Sequence, residues 1–141
     1  MTNGADISLI LAIVALIISA LHFIMEYFSK LRTQAPTINI SPTDLPPYIN
    51  NEAKTQITIE NVGTSIAHNP ELSVIYSYTA GETYIPIEED FINLNEKIEK
   101  RERLVEPPPG THEIKFNVEV GRNKRWGSVY TFTKTIEIVV E

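Results

Sequence analysis

The longest hydrophobic stretch lies near the start of the chain. From Ile7 to Met25 the nineteen residues ISLILAIVALIISALHFIM include no formally charged side chain. An α-helix rises about 1.5 Å per residue, so this stretch spans about 28 Å, close to the ~30 Å hydrocarbon core of a bilayer. A helix also satisfies its own backbone polar groups inside lipid. The pattern predicts a tail of residues 1–6 and then a transmembrane helix with an interfacial extension over residues 7–32.

A buried core helix and a cleaved secretory signal fit this stretch less well than a membrane span does. A helix that is apolar on all sides is buried either in a large core or in lipid, and the small β domain that follows cannot enclose it. A secretory signal has a basic N-terminal region and a shorter apolar stretch, but residues 1–6 contain no Lys or Arg. We therefore place the stretch in the bilayer, with its length marked by Ile7, Leu11, Ala15, Ile18, Leu21 and Met25.

The charges that flank the helix give an orientation. Lys30 and Arg32 follow the helix, whereas the N-terminal tail contains Asp6 and no basic side chain. Basic residues near the ends of a span favour the cytoplasmic side. The sequence thus predicts a single-pass protein of the cell membrane with a cytoplasmic C-terminal domain. An extracytoplasmic domain is the alternative, because the difference is only two residues.

Small and ionisable side chains recur along the helix. Ala12, Ala15 and Ser19 follow one another at spacings of three and four, which gives a smooth face that another helix can approach closely. His22 and Glu26 are four residues apart and can share a face. Ionisable residues in a span are candidates for function, although these two lie near the interface, where they reach water. We expect these five residues to contact a partner helix, with interfacial anchoring as the alternative for the last two.

After residue 54 the hydrophobic period changes to the two-residue alternation of half-buried strands. Ile57, Ile59 and Val62 nearly share one face. Three later runs place alternate apolar residues on one face in the same way, and we expect them to form the core: Leu72, Val74 and Tyr76; Ile114, Phe116, Val118 and Val120; Tyr130, Phe132, Ile136, Ile138 and Val140.

Two segments interrupt this alternation. Pro86 lies in the apolar run of residues 84–87 and cannot donate a ladder hydrogen bond, which indicates an edge strand. Residues 95–103, NEKIEKRER, are mostly charged. For this run we expect an exposed loop, with a helical turn or an exposed hairpin as alternatives.

The order of these elements predicts a fold class. About seven short strands separated by Gly, Pro and Asn turns, with no second helical pattern, are typical of an antiparallel β-sandwich, which we place at residues 55–141. Residues 33–54 contain four prolines and are expected to form an extended tether with one short strand at residues 37–40. The fold class is mainly β, with one N-terminal transmembrane helix.

Two sequence segments carry a family resemblance. Residues 57–72, ITIENVGTSIAHNPEL, and residues 108–116, PPGTHEIKF, resemble the I-x-N-x-G-x-S-x-A-x-N and P-G-x-x-x-h-x-F patterns of immunoglobulin-like domains of the CARDB type. The resemblance implies an immunoglobulin-like sandwich on a membrane helix, as in small bacterial and archaeal membrane proteins, and a role in adhesion, scaffolding or protein contact. In this pattern Asn61 and Gly63 suit a turn that needs a positive φ.

Charge and cysteine content narrow the possible functions. The chain has 18 acidic and 12 basic residues, and setting aside Asp6, Glu26, Lys30 and Arg32 leaves 16 and 10 in residues 33–141. This dispersed acidic charge argues against nucleic acid as a partner. The chain contains no cysteine, which excludes disulfides, thiolate metal sites and a Cys nucleophile.

The sequence presents no catalytic constellation, so we expect no enzymatic activity, no cofactor and no metal site. His68 and His112 are expected in surface turns, and the acidic triplet at residues 88–90 in a solvated loop. One basic and aromatic hairpin tip is a candidate for contact with lipid headgroups or a partner: Arg122, Lys124, Arg125 and Trp126.

The hypothesis that follows is a non-catalytic accessory or scaffolding subunit of a membrane protein complex. Its partners would be the lipid bilayer and either larger membrane subunits or further copies of itself. The alternative is a pilin-like filament subunit, or a cell-surface or virion structural subunit, because such proteins also join an apolar helix to a β-sandwich head.

Overall fold

The computed structural model describes residues 4–122 and 129–141, with the backbone alone for residues 30–33. It contains two compact units, a helical one that ends at Gln34 and a β unit that covers Ala35–Glu141. The proline-rich stretch lies in the β unit from Ala35 onward. Its backbone is held there because Val62 N–H donates to Thr37 O at 2.8 Å and Thr64 N–H donates to Ala35 O at 3.0 Å.

Helix α1 covers Gly4–Thr33 and is the only helix among the described residues. Within it, Gly4–Ser29 is long and apolar enough to cross a membrane, and none of this segment is buried by the protein. Asp6 lies in the first turn, where a negative charge stabilises the helix dipole. The prediction of one N-terminal helix long enough to span a bilayer is confirmed.

The β unit has two antiparallel sheets. A three-stranded sheet has the order β1-β2-β6, and a five-stranded sheet has the order β4-β3-β7-β8, with β5 also paired to β3. The predicted mainly β fold of one helix and two packed antiparallel sheets is confirmed, with eight described strands. Their bounds are β1 Ile38–Thr43, β2 Thr55–Asn61, β3 Ala67–Tyr76, β4 Glu82–Ile85, β5 Phe91–Ile92, β6 Lys97–Glu102, β7 Gly110–Gly121 and β8 Val129–Val140.

The core lies between the two sheets and follows the predicted alternation. The four inward side chains of β7 are fully buried, as are Ile57 and Ile59 on the facing sheet. Leu72, Val74 and Tyr76 of β3 join the same cluster. Burial of these side chains is the main source of the domain's stability, since each contributes about 1.5–3 kcal/mol.

The last inward-facing residue of β2 is not the one that the sequence predicts. Val62 is 48% exposed, and the third inward position belongs to Asn61, which is fully buried. Strict alternation from Ile57 and Ile59 leads to residue 61 rather than to residue 62. A polar residue is tolerated there because its amide makes four hydrogen bonds that hold the chain around it.

Asn61 joins three separate segments. Its Oδ1 accepts from the backbone N–H of Gly63 at 3.1 Å and of Thr37 at 3.4 Å, and its Nδ2 donates to the carbonyls of Ser65 at 2.9 Å and Ile92 at 3.0 Å. The side chain thus fixes the start of β1, the turn after β2 and the end of β5. We refer to this end of the domain as the entry end, because the chain enters it at Ala35.

Gly63 is required at the entry end for a reason other than the one the sequence suggested. It does not have a positive φ. Instead, a Cβ at this position would lie 2.4 Å from both Ala35 O and Thr37 N, which is too close for any side chain. Asn69, farther along the same segment, is the residue with a positive φ, of 49°.

The prediction of an exposed loop, hairpin or helical turn for residues 95–103 is wrong. Residues Lys97–Glu102 form strand β6, which pairs with β2. Ile98 is the anchor, since it is buried opposite Ile59. The charged residues of β6 are compatible with a strand because β6 is an edge, with most of its other side chains exposed to solvent.

Strand β8 is less buried than its pattern suggested. It lies at the edge of the five-stranded sheet, opposite a sheet of only three strands. Its even-numbered side chains face inward, but among them only Ile138 is buried, and Val139 on the outward face is 66% exposed. At the other edge, Pro86 directly follows β4, which confirms the edge position predicted from that proline.

Candidate contact surfaces

One stripe of α1 carries all five residues that the sequence singled out for helix contact. At about 100° per residue, the set falls within an arc of roughly 80°. Gly4 and Ser8 fall in the same arc but were not predicted, since Gly4 precedes the charge-free stretch and Ser8 is only its second residue. The complete stripe has spacings of four and three: Gly4, Ser8, Ala12, Ala15, Ser19, His22 and Glu26.

The polar end of the stripe contains an interaction between His22 and Glu26. His22 Nε2 lies 3.3 Å from Glu26 Oε1, and both side chains are exposed. Ser8 Oγ donates to Gly4 O at 2.9 Å within the helix, which satisfies its hydroxyl without a partner helix. The other residues of the stripe have small side chains and form a smooth surface, whereas the bulky side chains of the span lie on the rest of the helix surface. This distribution is typical of a face that another helix can pack against.

The predicted basic and aromatic tip follows strand β7. Arg122 is partly buried next to the end of β7, whereas Lys124, Arg125 and Trp126 lie outside the described residues. The flanking strand residues Gly121 and Val129 are opposite one another. Gly121 also lies opposite His68 at the beginning of β3, so both flanking residues are at the entry end of the domain.

The opposite end of the domain presents a loop that the sequence analysis did not single out. Residues 44–54, the clamped loop, connect β1 to β2 and are held by Arg103. The Arg103 Nη1 donates to the carbonyls of Asn50 at 3.3 Å, Asn51 at 2.7 Å and Ala53 at 3.1 Å. One guanidinium therefore fixes most of the outer half of this loop.

Two further contacts position that guanidinium. Its Cζ lies 4.8 Å from the centre of the Tyr48 ring, which is a cation–π distance, and its Nη2 donates to Glu106 Oε1 at 2.7 Å. The Tyr48 hydroxyl in turn accepts from Leu104 N–H at 3.0 Å and lies 2.7 Å from Thr55 Oγ1. Since these groups come from both ends of the loop and from the β6–β7 connection, the loop is held as a rigid unit.

The clamped loop holds Ile49 fully exposed to solvent. A cavity of about 340 Å³ lies beside this side chain and is lined partly by Leu45, Tyr48 and Asn50. A single exposed isoleucine is common on protein surfaces. Four contacts of Arg103 hold the backbone of this loop, so little backbone conformational entropy remains to be lost when Ile49 is presented to a partner.

The β6–β7 connection next to the loop is held by two more tyrosines. Val105 N–H donates to the Tyr76 hydroxyl at 3.3 Å, and the Tyr78 hydroxyl donates to Val105 O. Burial raises the pKa of both Tyr76 and Tyr78 above the ordinary value for tyrosine, so both hydroxyls stay neutral at physiological pH. The hydrogen bonds of these two hydroxyls to Val105 are therefore insensitive to pH near neutrality.

We expect the Arg103→Ala substitution to loosen the clamped loop without unfolding the domain. Hydrogen bonds to a charged donor contribute about 1.5–3 kcal/mol each when well placed, and solvent exposure reduces this, so we expect a local loss of about 1–2 kcal/mol. Amide hydrogen exchange at residues 49–54 should then become about 5–30-fold faster.

Arg101→Ala is the matched control for this experiment. Arg101 is an arginine of the adjacent edge strand whose Nη2 makes one side-chain hydrogen bond, to Gln56 Oε1 at 3.3 Å. Exchange at residues 49–54 should not change in this variant. If the two variants affected the loop equally, the clamp would have no special role.

Both histidines of the β domain lie in strands, so the expectation of surface turns is wrong. His68 lies in β3 and His112 in β7. His112 Nε2 is 3.0 Å from Pro108 O, and its ring makes an edge contact with Tyr78 at 5.1 Å between centroids. His112 continues the alternation of Ile114 and Phe116, whereas a register shift between His68 and Glu71 separates His68 from the regular part of β3.

The acidic triplet lies between β4 and β5, in a segment without regular secondary structure. Glu89 Oε2 lies 3.3 Å from Lys100 Nζ. Hydrogen bonding from its own backbone lowers the pKa of Glu89, and Lys100 adds to this effect. The carboxylate is thus used to hold the loop against β6. Within the described part of the chain, no cluster of three His, Cys, Asp or Glu side chains is arranged to hold a metal ion.

No protein-family model matches the sequence, and no curated protein matches it.

Proposed function

We propose that this protein is a non-catalytic, membrane-anchored accessory or scaffolding subunit, which binds a larger membrane protein through α1 and presents its β domain as a rigid contact module. The observation that carries this proposal is the exposed apolar surface of α1. Every described side chain from Gly4 to Ser29 is exposed, and this segment satisfies the length and composition requirements of a membrane span. Such a surface is stable only in lipid or against another apolar helix.

The stripe of small residues supports the assignment of one face to a partner. In lipid, helix association depends on close packing and hydrogen bonds, because lipid tails are as apolar as leucine. Ala12, Ala15 and Ser19 allow a close approach at the middle of the span. The His22–Glu26 pair can hydrogen-bond across the same face.

The two ends of the β domain support a division of roles. Strand β1 runs from the entry end to the clamped loop, so Ile49 and Ala35 lie at opposite ends of the domain. We propose that the clamped loop contacts a protein partner, with Ile49 inserted into an apolar pocket of that partner. The tip at residues 122–126 is our proposed contact for lipid headgroups or for partner residues near the membrane surface.

Two finer features of this proposal come from the sequence. The segments at residues 57–72 and 108–116 support an immunoglobulin-like sandwich of the CARDB type. The basic residues Lys30 and Arg32 after the span support a cytoplasmic β domain. Protease treatment of intact cells tests the second point, because a cytoplasmic domain is protected until the membrane is opened.

Purification of the intact chain in a mild detergent, followed by mass spectrometry, tests the proposed function. We expect larger membrane subunits to co-purify with the wild type and with Ile17→Phe, and to be lost from Ala15→Phe. Both substitutions keep the helix apolar, but Ile17 lies roughly opposite the stripe, whereas Ala15 lies within it. If the wild-type chain carried no other protein, the proposal would be overturned.

A further inference from the structure

Three of the four sheet edges are protected against pairing with another strand. Strand β4 has only four residues and is followed by Pro86, and β1 contains Pro42. Strand β6, with the sequence KIEKRE, carries five charged residues out of six. Short edges, prolines and charges are the usual means by which proteins prevent edge-to-edge association.

Strand β8 has fewer of these protections. It has twelve residues, no proline, and only two charged residues, Lys134 and Glu137. Within the part of the chain that the structure describes, β8 pairs with β7 alone. Strand β1 of the other sheet approaches it, but no ladder joins the two. About half of the backbone N–H and C=O groups of β8 therefore point away from its one partner strand.

The inward face of β8 is also incompletely covered. The neighbouring inward residues of β7 are fully buried, including Phe116 and Val118. Phe132, which lies opposite Val118, is only partly buried, as are the other inward apolar residues near it in β8. The three-stranded sheet is too narrow to cover the edge of the five-stranded one. A further strand beside β8 would cover this row and pair its backbone at the same time.

The sequence of β8 restricts which second strand fits. Residues directly opposite one another in an antiparallel ladder point to the same side, so two copies of β8 related by a two-fold axis must pair residues of equal parity. An axis at Lys134 sets two lysines against each other, and an axis at Glu137 sets two glutamates against each other. An axis at Thr135 brings no like charges together and pairs the whole strand.

We propose that β8 pairs with β8 of a second copy of this chain, antiparallel about an axis at Thr135, so that two five-stranded sheets become one continuous sheet. On the inward side this register sets Phe132 opposite Ile138 of the other copy, and Tyr130 opposite Val140. On the outward side it sets Thr131 opposite Val139. Aromatic and β-branched pairs of this kind stabilise antiparallel sheets.

The proposed interface is small, because each copy contributes mainly one strand. Interfaces of less than about 1,200 Å² are typical of weak or transient complexes, so we expect a reversible dimer. This pairing does not depend on the partner proposed for α1, and the two proposals fail separately. A chain that forms only dimers of itself would support the pairing and overturn the accessory role.

Cysteine cross-linking of the intact chain in detergent tests the pairing, because the chain has no native cysteine. The β8 side chains at residues 131, 135 and 139 are exposed. Thr135→Cys places two thiols opposite each other at the axis. In Thr131→Cys the two thiols lie eight residues apart along the ladder, roughly 27 Å at ~3.4 Å per residue.

Under mild oxidation we expect at least about tenfold more linked dimer from Thr135→Cys than from Thr131→Cys, because a disulfide requires Cβ atoms about 3.5–4.5 Å apart. A mixture of Thr131→Cys and Val139→Cys should give a linked heterodimer, although neither variant links to itself. Near-UV circular dichroism should match the wild type for all three. No linking at residue 135, equal linking at residues 131 and 135, or linking of residue 135 to a different protein would each overturn the proposal.

Discussion

Arginine at both Ala15 and Ile18 is expected to abolish stable membrane insertion of the chain. The span contains twelve Leu, Ile, Val and Phe residues between Ile7 and Met25, and at about −0.3 to −0.6 kcal/mol each they favour insertion by roughly 4–7 kcal/mol. Each central arginine costs about 2.5–3.5 kcal/mol on the same scale. Two of them cancel the favourable term, so the chain should move from the membrane pellet to the soluble or aggregated fraction.

Two controls separate insertion from other effects of this change. Leucine at the same two positions changes side-chain size without adding charge and should leave the chain in the membrane. Arginine at Ala80, an exposed turn residue of the β domain, adds positive charge away from the helix and should also have no effect on fractionation. If the double arginine variant stayed in the membrane after an alkaline wash, like its controls, α1 would not be a span.

The Asn61→Ala substitution is expected to destabilise the β domain strongly. It removes four hydrogen bonds of a fully buried amide and leaves the carbonyl of Ile92 without that donor in the core. Loss of such a buried network costs about 2–4 kcal/mol. For a domain of this size, about 4–8 °C of Tm corresponds to 1 kcal/mol, so the Tm should fall by roughly 8–30 °C.

Thermal unfolding of the intact chain in detergent, followed by near-UV circular dichroism, measures this effect. Asn93→Ala is the matched control, because Asn93 is exposed and its Nδ2 makes one surface hydrogen bond, to Glu96 Oε2 at 3.2 Å. Its Tm should lie within about 3 °C of the wild type, as expected for a surface substitution of at most ~0.5 kcal/mol. Equal Tm values for the two variants would mean that Asn61 does not organise the entry end.

The sequence was sufficient to predict elements in which one face is uniformly apolar. The helix follows from a charge-free stretch of bilayer length, and β7 follows from the alternation that buries Ile114 to Val120. Both signals are local, since each depends on residues a few positions apart. The helix stripe was also predictable for the same reason, because Ala12 and Ser19 share a face in any regular helix.

The features that were not predicted depend on contacts between distant segments. Strand β6 contains one buried residue, Ile98, and its remaining side chains follow the pattern of a solvated loop. Its strand conformation is imposed by pairing with β2, about forty residues earlier in the chain. Arg103 likewise donates hydrogen bonds to carbonyls about fifty residues away, so its role in the clamped loop could not be predicted from the residues next to it in the sequence.

Asn61 shows why alternation misassigned one inward position. A polar residue within an alternating apolar pattern is normally assigned to the surface. The third inward position was therefore assigned to Val62, the nearest apolar residue. The inward position of Asn61 depends on donors and acceptors from Thr37, Ser65 and Ile92, which come together only in the fold. The polar residue in the core thus marks the point at which three segments meet.

The central claim is that this chain is a membrane-anchored protein whose β domain acts as a contact module. Fractionation of the unmodified full-length chain tests it most directly: membranes are washed with alkaline carbonate and then with detergent. We expect the chain to stay in the pellet through the carbonate wash and to be released only by detergent. Recovery of the chain in the first, detergent-free supernatant would contradict it.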